Sequence, residues 1–320
     1  MLKKLKNWNF LSWLAVAGAA WTIGFVHNVV YGGDLSFLRI MYQRKMAIAA
    51  QVDAPRRLLI TGGSGAHYTI NSELLEKELG MPVLNLGIDG PVGLNVILPG
   101  IIEQVRPGDI VLLIPEYLII LDDDGFGDRS APFVLATGQP GLGGVPSKDL
   151  AQNTLLLGVL TLRSTVESTI DLIKEGKPTA YYNDPLTERG DPTIFFDRKG
   201  EWWKMTFKKP ISKHAVKRIT QFREEVEAKG GSLVLSLPWV YAKREDEKTM
   251  DNVQKTAAKL KEIAPLIYDK NSLNVQTDSN LFADTHYHLK PEATIIRSKQ
   301  IVRELKPILS KLPPPPQEAN

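Results

Sequence analysis

The chain has 320 residues, 43% hydrophobic and 23% charged, with a formal net charge of +3, which is ample for a sizeable core in one large domain or two modest ones. So small and dispersed a charge, with no basic stripe interleaved with aromatics, excludes the electrostatic footprint of a nucleic-acid-binding protein. Cysteine is absent; disulfides, thiolate nucleophiles and cysteine zinc sites are therefore excluded, while the compartment stays open.

Lys3, Lys4 and Lys6 precede an apolar run in which no Asp, Glu, Lys or Arg occurs between Phe10 and Tyr31, and about 20 residues suffice to cross a bilayer. Residues 1–32 therefore read as a basic tip and an uncleaved membrane anchor. The lysines place the N-terminus in the cytoplasm and the remainder outside the inner membrane, a single-pass, periplasmic arrangement. Ala17-Gly18-Ala19 has the spacing of a signal-peptide cleavage site, but the apolar run continues well past it. His27 and Asn28 are the polar residues near the far end of the run.

Residues 33–56 read as a linker or helix. Arg57-Leu-Leu-Ile-Thr61, Pro82-Val-Leu-Asn-Leu86 and Ile110-Val-Leu-Leu-Ile114 read as strands alternating with helical spacing over 72–79 and 94–105. Unbroken apolar strands alternating with helices predict a parallel sheet covered on both faces. Regularity is lost over 121–210, an insertion with a helical stretch near 150–174 and the aromatics Tyr181, Tyr182, Trp202 and Trp203; insertions of that length are commonly functional. The alternation resumes with a helix over 213–229, a strand over 232–237, a helix over 246–263, a weak strand over 266–268 and a last helix over 291–310. Residues 57–312 thus form one domain carrying the insertion, and the proline-rich 313–320 reads as a disordered tail.

Two motifs carry chemistry. Gly62-Gly63-Ser64-Gly65 follows the first strand, at the strand end where such sheets bind ligands. It lacks the Lys-Ser/Thr ending of a phosphate-binding loop and the spacing of a dinucleotide fingerprint. Asp284-Thr-His286-Tyr-His288 precedes the last helix, where the carboxylate can orient a histidine that accepts a serine proton. Either histidine qualifies. His67, three residues after Ser64, is a further candidate for lining the site. Asp284, His286 and His288 also alternate as metal ligands would, but no fourth ligand is evident and no metal or cofactor is assigned.

These blocks, in this order, resemble the SGNH (GDSL-like) hydrolase superfamily over roughly residues 58–308, outside the insertion. The resemblance implies a three-layer α/β/α sandwich with a mostly parallel five-stranded, flavodoxin-like sheet, here with an N-terminal transmembrane helix. It implies Ser64 as nucleophile, His288 as general base with His286 the second choice, and Asp284 as orienter. The Asn85–Gly90 block would supply an oxyanion N–H from Gly90 beside that of Ser64. Two departures stand out. Glu116, in Pro115-Glu116-Tyr117, falls where the family has a donor asparagine, and an ionised Glu accepts hydrogen bonds but cannot donate one. Asp284 and His288 are separated by three residues instead of two. An anchored member of this kind resembles proteins that add or remove acyl groups, commonly acetyl, on exported polysaccharides, often with a multi-pass membrane acyltransferase as partner. The insertion aromatics would then stack on sugar. A non-catalytic accessory protein that binds glycan or that partner is the alternative.

Overall fold

The computed structural model describes residues 2–31, 34–160, 162–176, 186–194 and 204–312. Tyr181, Tyr182, Trp202, Trp203 and the 313–320 tail lie outside the described residues. The chain divides into two compact units, one of residues 1–40, 131–141 and 145–184, the other of residues 41–130, 142–144 and 185–320.

The second unit holds the sheet. Strands β1 (Leu58–Gly62), β2 (Val83–Asn85), β3 (Ile110–Ile114), β4 (Ser232–Ser236) and β6 (Leu266–Ile267) pair in the order β2-β1-β3-β4-β6, every pair parallel. That is the doubly wound, flavodoxin-like order, with its switch point between β1 and β3. The strands of this sheet are buried almost throughout, which is why the sequence shows them as unbroken apolar runs rather than alternating ones. Two-residue strands β5 (Val240–Tyr241) and β7 (Val275–Gln276) pair in a small separate sheet that the sequence pattern did not announce.

The helices follow in chain order: α1 (Leu2–Val26), α2 (Asp34–Gln51), α3 (Ser64–His67), α4 (Ser72–Leu79), α5 (Leu94–Ile102), α6 (Tyr117–Ile120), α7 (Ser130–Ala136), α8 (Ser147–Leu157), α9 (Leu162–Glu175), α10 (Lys213–Ala228), α11 (Glu247–Ile263) and α12 (Pro291–Leu309). Capping sets their ends. Asn71, Ser212 and Asp246 accept the N–H groups of Leu74, Ala215 and Thr249, and Gly80 closes α4 in the left-handed conformation. Leu75 of α4 and Ile301 and Leu305 of α12 share one core with Leu58, Ile60, Leu112 and Val234; α5, α10 and α11 cover the other face. The result is a three-layer α/β/α sandwich.

In the first unit α1 runs into a π-helical turn, His27–Tyr31. Asn9–Tyr31, 23 residues, is long and apolar enough to cross a membrane: an 18-residue window within it has mean hydropathy 1.4, and only 6% of that window is buried within the protein. The helical stretch read over 150–174 is two helices, α8 and α9, broken at Gly158.

Candidate active site

Ser64 opens α3 directly beyond β1, so the sheet presents it at its C-terminal edge. The chain turns there because Gly62 takes φ +148°, where a Cβ would strike the Ile114 carbonyl. The Ser64 hydroxyl donates to Glu116 Oε1 at 2.9 Å, and the Gly65 N–H donates to the same oxygen.

The Asp284–His288 loop is a closed hairpin. Phe282 pairs with Leu289, and the Ala283 N–H donates to the His288 carbonyl at 2.9 Å. Phe282 and Leu289 hold its base in a cluster with Trp239, Tyr241 and Ala293, and the Thr285 hydroxyl accepts the N–H groups of Tyr287 and His288. Four residues of separation then suffice for the contact the chemistry needs: His288 Nδ1 lies 2.7 Å from Asp284 Oδ1. With Nδ1 as the N–H donor to that carboxylate, Nε2 is left as the proton acceptor. The His288 ring packs on Tyr68 with centroids 4.3 Å apart, and the Tyr68 N–H donates to the Ser64 carbonyl at 2.9 Å. His288 thus packs on the residue whose N–H closes the Ser64 turn, and its charge acts on Glu116. The Ser64 hydroxyl proton is engaged by Glu116, and Ser64 and His288 share no hydrogen bond.

Glu116 is fully buried. Its Oε2 has no hydrogen-bond partner among the described residues, and a Cβ on Gly63 or Gly90 would collide with that oxygen. The carboxyl group thus occupies the space between the Ser64 turn and Gly90, which opens the short 3-10 turn Gly90–Val92. Burial raises its pKa, against the opposing pull of the Ser64 hydroxyl, the His288 charge and the Gly65 N–H.

The other sequence candidates fall in different places. His286 turns away to stack near Tyr241, ring centroids 6.5 Å apart, and does not join Asp284 and His288; among the described residues no group of three metal-ligating side chains gathers. Tyr117 is buried against Phe207 at 4.2 Å between centroids, and burial raises its pKa. His67 ends α3 and Asn85 ends β2, and both are buried. Asn85 Nδ2 donates to the His67 carbonyl at 3.1 Å and to Asp191 Oδ1 at 2.9 Å. Lys45 Nζ, fully buried, lies 2.9 Å from His67 Nδ1 and donates to the Asn85 carbonyl at 2.8 Å. Burial, then the charges of Lys45 and His288, hold His67 well below the usual histidine range, so a neutral imidazole accepts from the lysine. Asp191 completes the group by accepting from Ser72 N and Oγ at 2.7 and 2.8 Å. Sequence reasoning missed Lys45 and Asp191. Lys45 follows Gln43-Arg44 in a stretch that reads only as a linker or helix, and Asp191 sits in the insertion. A cavity of about 350 Å³ lined by Asn95, Pro99, His214, Lys217, Arg218 and Gln221 lies elsewhere in this unit and includes none of the candidate residues.

No protein-family model matches the chain, and no curated protein matches it in sequence. Among solved structures, protein YxiM from Bacillus subtilis is similar with a TM-score of 0.38 and 12% identity, over 80% of this chain and 57% of that one. The chain spans little more than half the length of that structure.

Proposed function

We propose that this is a membrane-anchored, SGNH-like serine enzyme that transfers or hydrolyses O-acyl groups, acetyl in the first instance, on an exported polysaccharide. What supports the reading is the Ser64 hydroxyl held on a buried carboxyl group at the C-terminal edge of the sheet, together with an Asp284–His288 pair whose charge acts on that same carboxyl group.

Catalysis begins when the Ser64 hydroxyl rotates from Glu116 to His288 Nε2. As Oγ bonds to the ester carbonyl carbon, its proton passes to Nε2, and Asp284 holds the resulting imidazolium in place. The carbonyl oxygen becomes an oxyanion facing the N–H groups of Ser64 and Gly90, in space from which the Glu116 carboxyl group shifts as the ester binds. Collapse breaks the bond to the alcohol, which leaves with the proton from His288, and Ser64 keeps the acyl group. Water or a sugar hydroxyl then repeats the steps in reverse. Glu116 resolves its own anomaly by being protonated: a neutral carboxyl group keeps one oxygen as acceptor and turns its O–H toward the oxyanion. Apolar sites hold acids neutral for that purpose in other enzymes. The bare Oε2 and the raised pKa support this assignment.

The lysines ahead of the apolar helix support a domain on the periplasmic side of the inner membrane, and the resemblance supports a multi-pass membrane acyltransferase as the source of acyl groups. The hydrogen bond from Ser64 to Glu116 favours one alternative, an accessory protein that keeps the fold and binds glycan without turnover. Hydrolysis of an activated acetyl ester by the full chain in detergent separates the two. The enzyme reading expects turnover that disappears in Ser64→Ala; equal rates in wild type and Ser64→Ala contradict it.

A further inference from the structure

The first unit contains an apolar surface that the catalytic reading does not use. The α8–α9 connection exposes Leu155, Leu156, Val159 and Leu160, and α9 exposes Val166, Ile170 and Ile173, one helical stripe at spacings of four and three. This surface is attached to the candidate span itself. The Trp21 indole N–H donates to the carbonyls of Thr154 and Leu155 at 3.2 and 3.1 Å. Asn28 Nδ2 donates to the carbonyls of Leu157 and Val159 at 2.8 and 2.9 Å. Gly24 and Gly158 meet backbone to backbone, with no room for a Cβ on either, the close approach that small residues allow between membrane helices. Leu157 is buried with Val29 and Ala136.

The depth follows from the anchor. Trp21 is 12 residues beyond Asn9 in a 23-residue span, about 18 Å along the helix axis and so near the middle of a hydrocarbon layer about 30 Å thick. Whatever binds the anchor between Trp21 and Asn28 lies in the C-terminal half of the bilayer. There the carbonyls at a helix end find no water and need internal donors. Trp21 and Asn28 supply them, which gives a physical reason for an asparagine near the end of an apolar span.

We propose that the α8–α9 connection is a second membrane-inserted element, docked on the anchor, and that α9 lies along the membrane surface with Val166, Ile170 and Ile173 in lipid. The proposal rests on reading α1 as a span. The occupant is lipid rather than a protein, because the surface is aliphatic and the carbonyls at its centre are already bonded within the chain. The charged residues of α9 are Arg163, Glu167, Asp171, Lys174 and Glu175. With both signs mixed, attachment is apolar and indifferent to salt and to anionic lipid.

The absence of cysteine makes the test direct. The full chain is reconstituted in phosphatidylcholine vesicles with a fluorophore on a single cysteine introduced as Val16→Cys, Leu156→Cys, Ile173→Cys or Lys259→Cys, and quenched by aqueous iodide or by lipid-borne nitroxide. The expected result is that positions 16, 156 and 173 are about tenfold less sensitive to iodide than position 259 and are quenched by the lipid probe. Asn28→Leu, which keeps the span apolar, should return position 156 to iodide while leaving position 16 protected. Protection at 16 with free access at 156 and 173 overturns the proposal. Protection of 156 and 173 from both quenchers overturns it in favour of a protein contact. Free access at 16 overturns the anchor itself, and this inference with it.

Discussion

Strand β3 has a buried carboxylate at each end, and the two are treated in opposite ways. Asp109, just before the strand, receives Arg57 through both nitrogens at 3.0 and 2.6 Å and the Arg106 N–H at 2.9 Å. Arg57 spends its remaining donors on the carbonyls of Ala49, Val52 and Gln104. Among the described residues Glu116, just after the strand, has no cation bonded to it, one oxygen bonded to Ser64 and Gly65, and the other without a partner. A fully compensated charge at the N-terminal edge of the sheet holds the fold together. An uncompensated carboxyl group at the C-terminal edge is the kind of defect that a fold tolerates where ligands bind.

If that contrast is right, substitutions at the two ends separate rate from stability. The largest effect belongs to Ser64→Ala, which should lower kcat with an activated acetyl ester by about 10⁶-fold with an unchanged unfolding midpoint. Asp284→Asn should lower kcat by about 10⁴-fold, because the amide no longer fixes the tautomer that leaves Nε2 as acceptor. Glu116→Ala should cost about 10²–10³ in kcat, the loss of one oxyanion donor, again with the protein folded. Asp109→Ala should do the reverse. Leaving Arg57 buried and unpaired should cost about 3–5 kcal/mol in denaturant unfolding, with kcat per folded molecule unchanged.

The smallest effect is the most specific. Because the folded-state pKa of Glu116 is raised, the folded protein keeps a proton that the unfolded chain gives up. Its contribution to stability is complete below the unfolded pKa and is lost as pH rises through the folded value. Activity that needs the neutral acid should fall over the same upper range. Glu116→Gln, neutral and able to donate at any pH, should lose that alkaline decline in kcat and gain stability over wild type as pH rises. A wild-type profile that keeps its alkaline limb in Glu116→Gln would assign the limb to another group.

Much of this is legible in the amino-acid sequence. The five strands of the main sheet are short apolar runs between helices with readable caps, and burial on both faces leaves no other pattern. The pair Asp284 and His288 was legible because both members lie in one loop. What could not be read was everything set by contact across the sheet. Glu116 reaches Ser64 across 52 positions of sequence, and Lys45 reaches His67 across 22. Glu116 was legible as a site residue through the resemblance, but its bond to Ser64 was not, and a lysine in a helix looks solvated in sequence. Strands β5 and β7 escaped because two residues hold no periodicity. The break between α8 and α9 lies at Gly158, in an apolar run whose spacing continues through it; only its contact with Trp21 and Gly24 explains the turn.

The central claim is that Ser64 carries the acyl group and His288 delivers it there. The full chain, mixed with an activated acetyl ester, quenched in acid and digested, should yield one acetyl group on the Ser64 peptide. The label should be absent in Ser64→Ala and strongly reduced in His288→Ala, while His286→Ala labels as wild type does. Absence of acetyl from the Ser64 peptide of the wild type, or its undiminished presence in His288→Ala, would contradict the account.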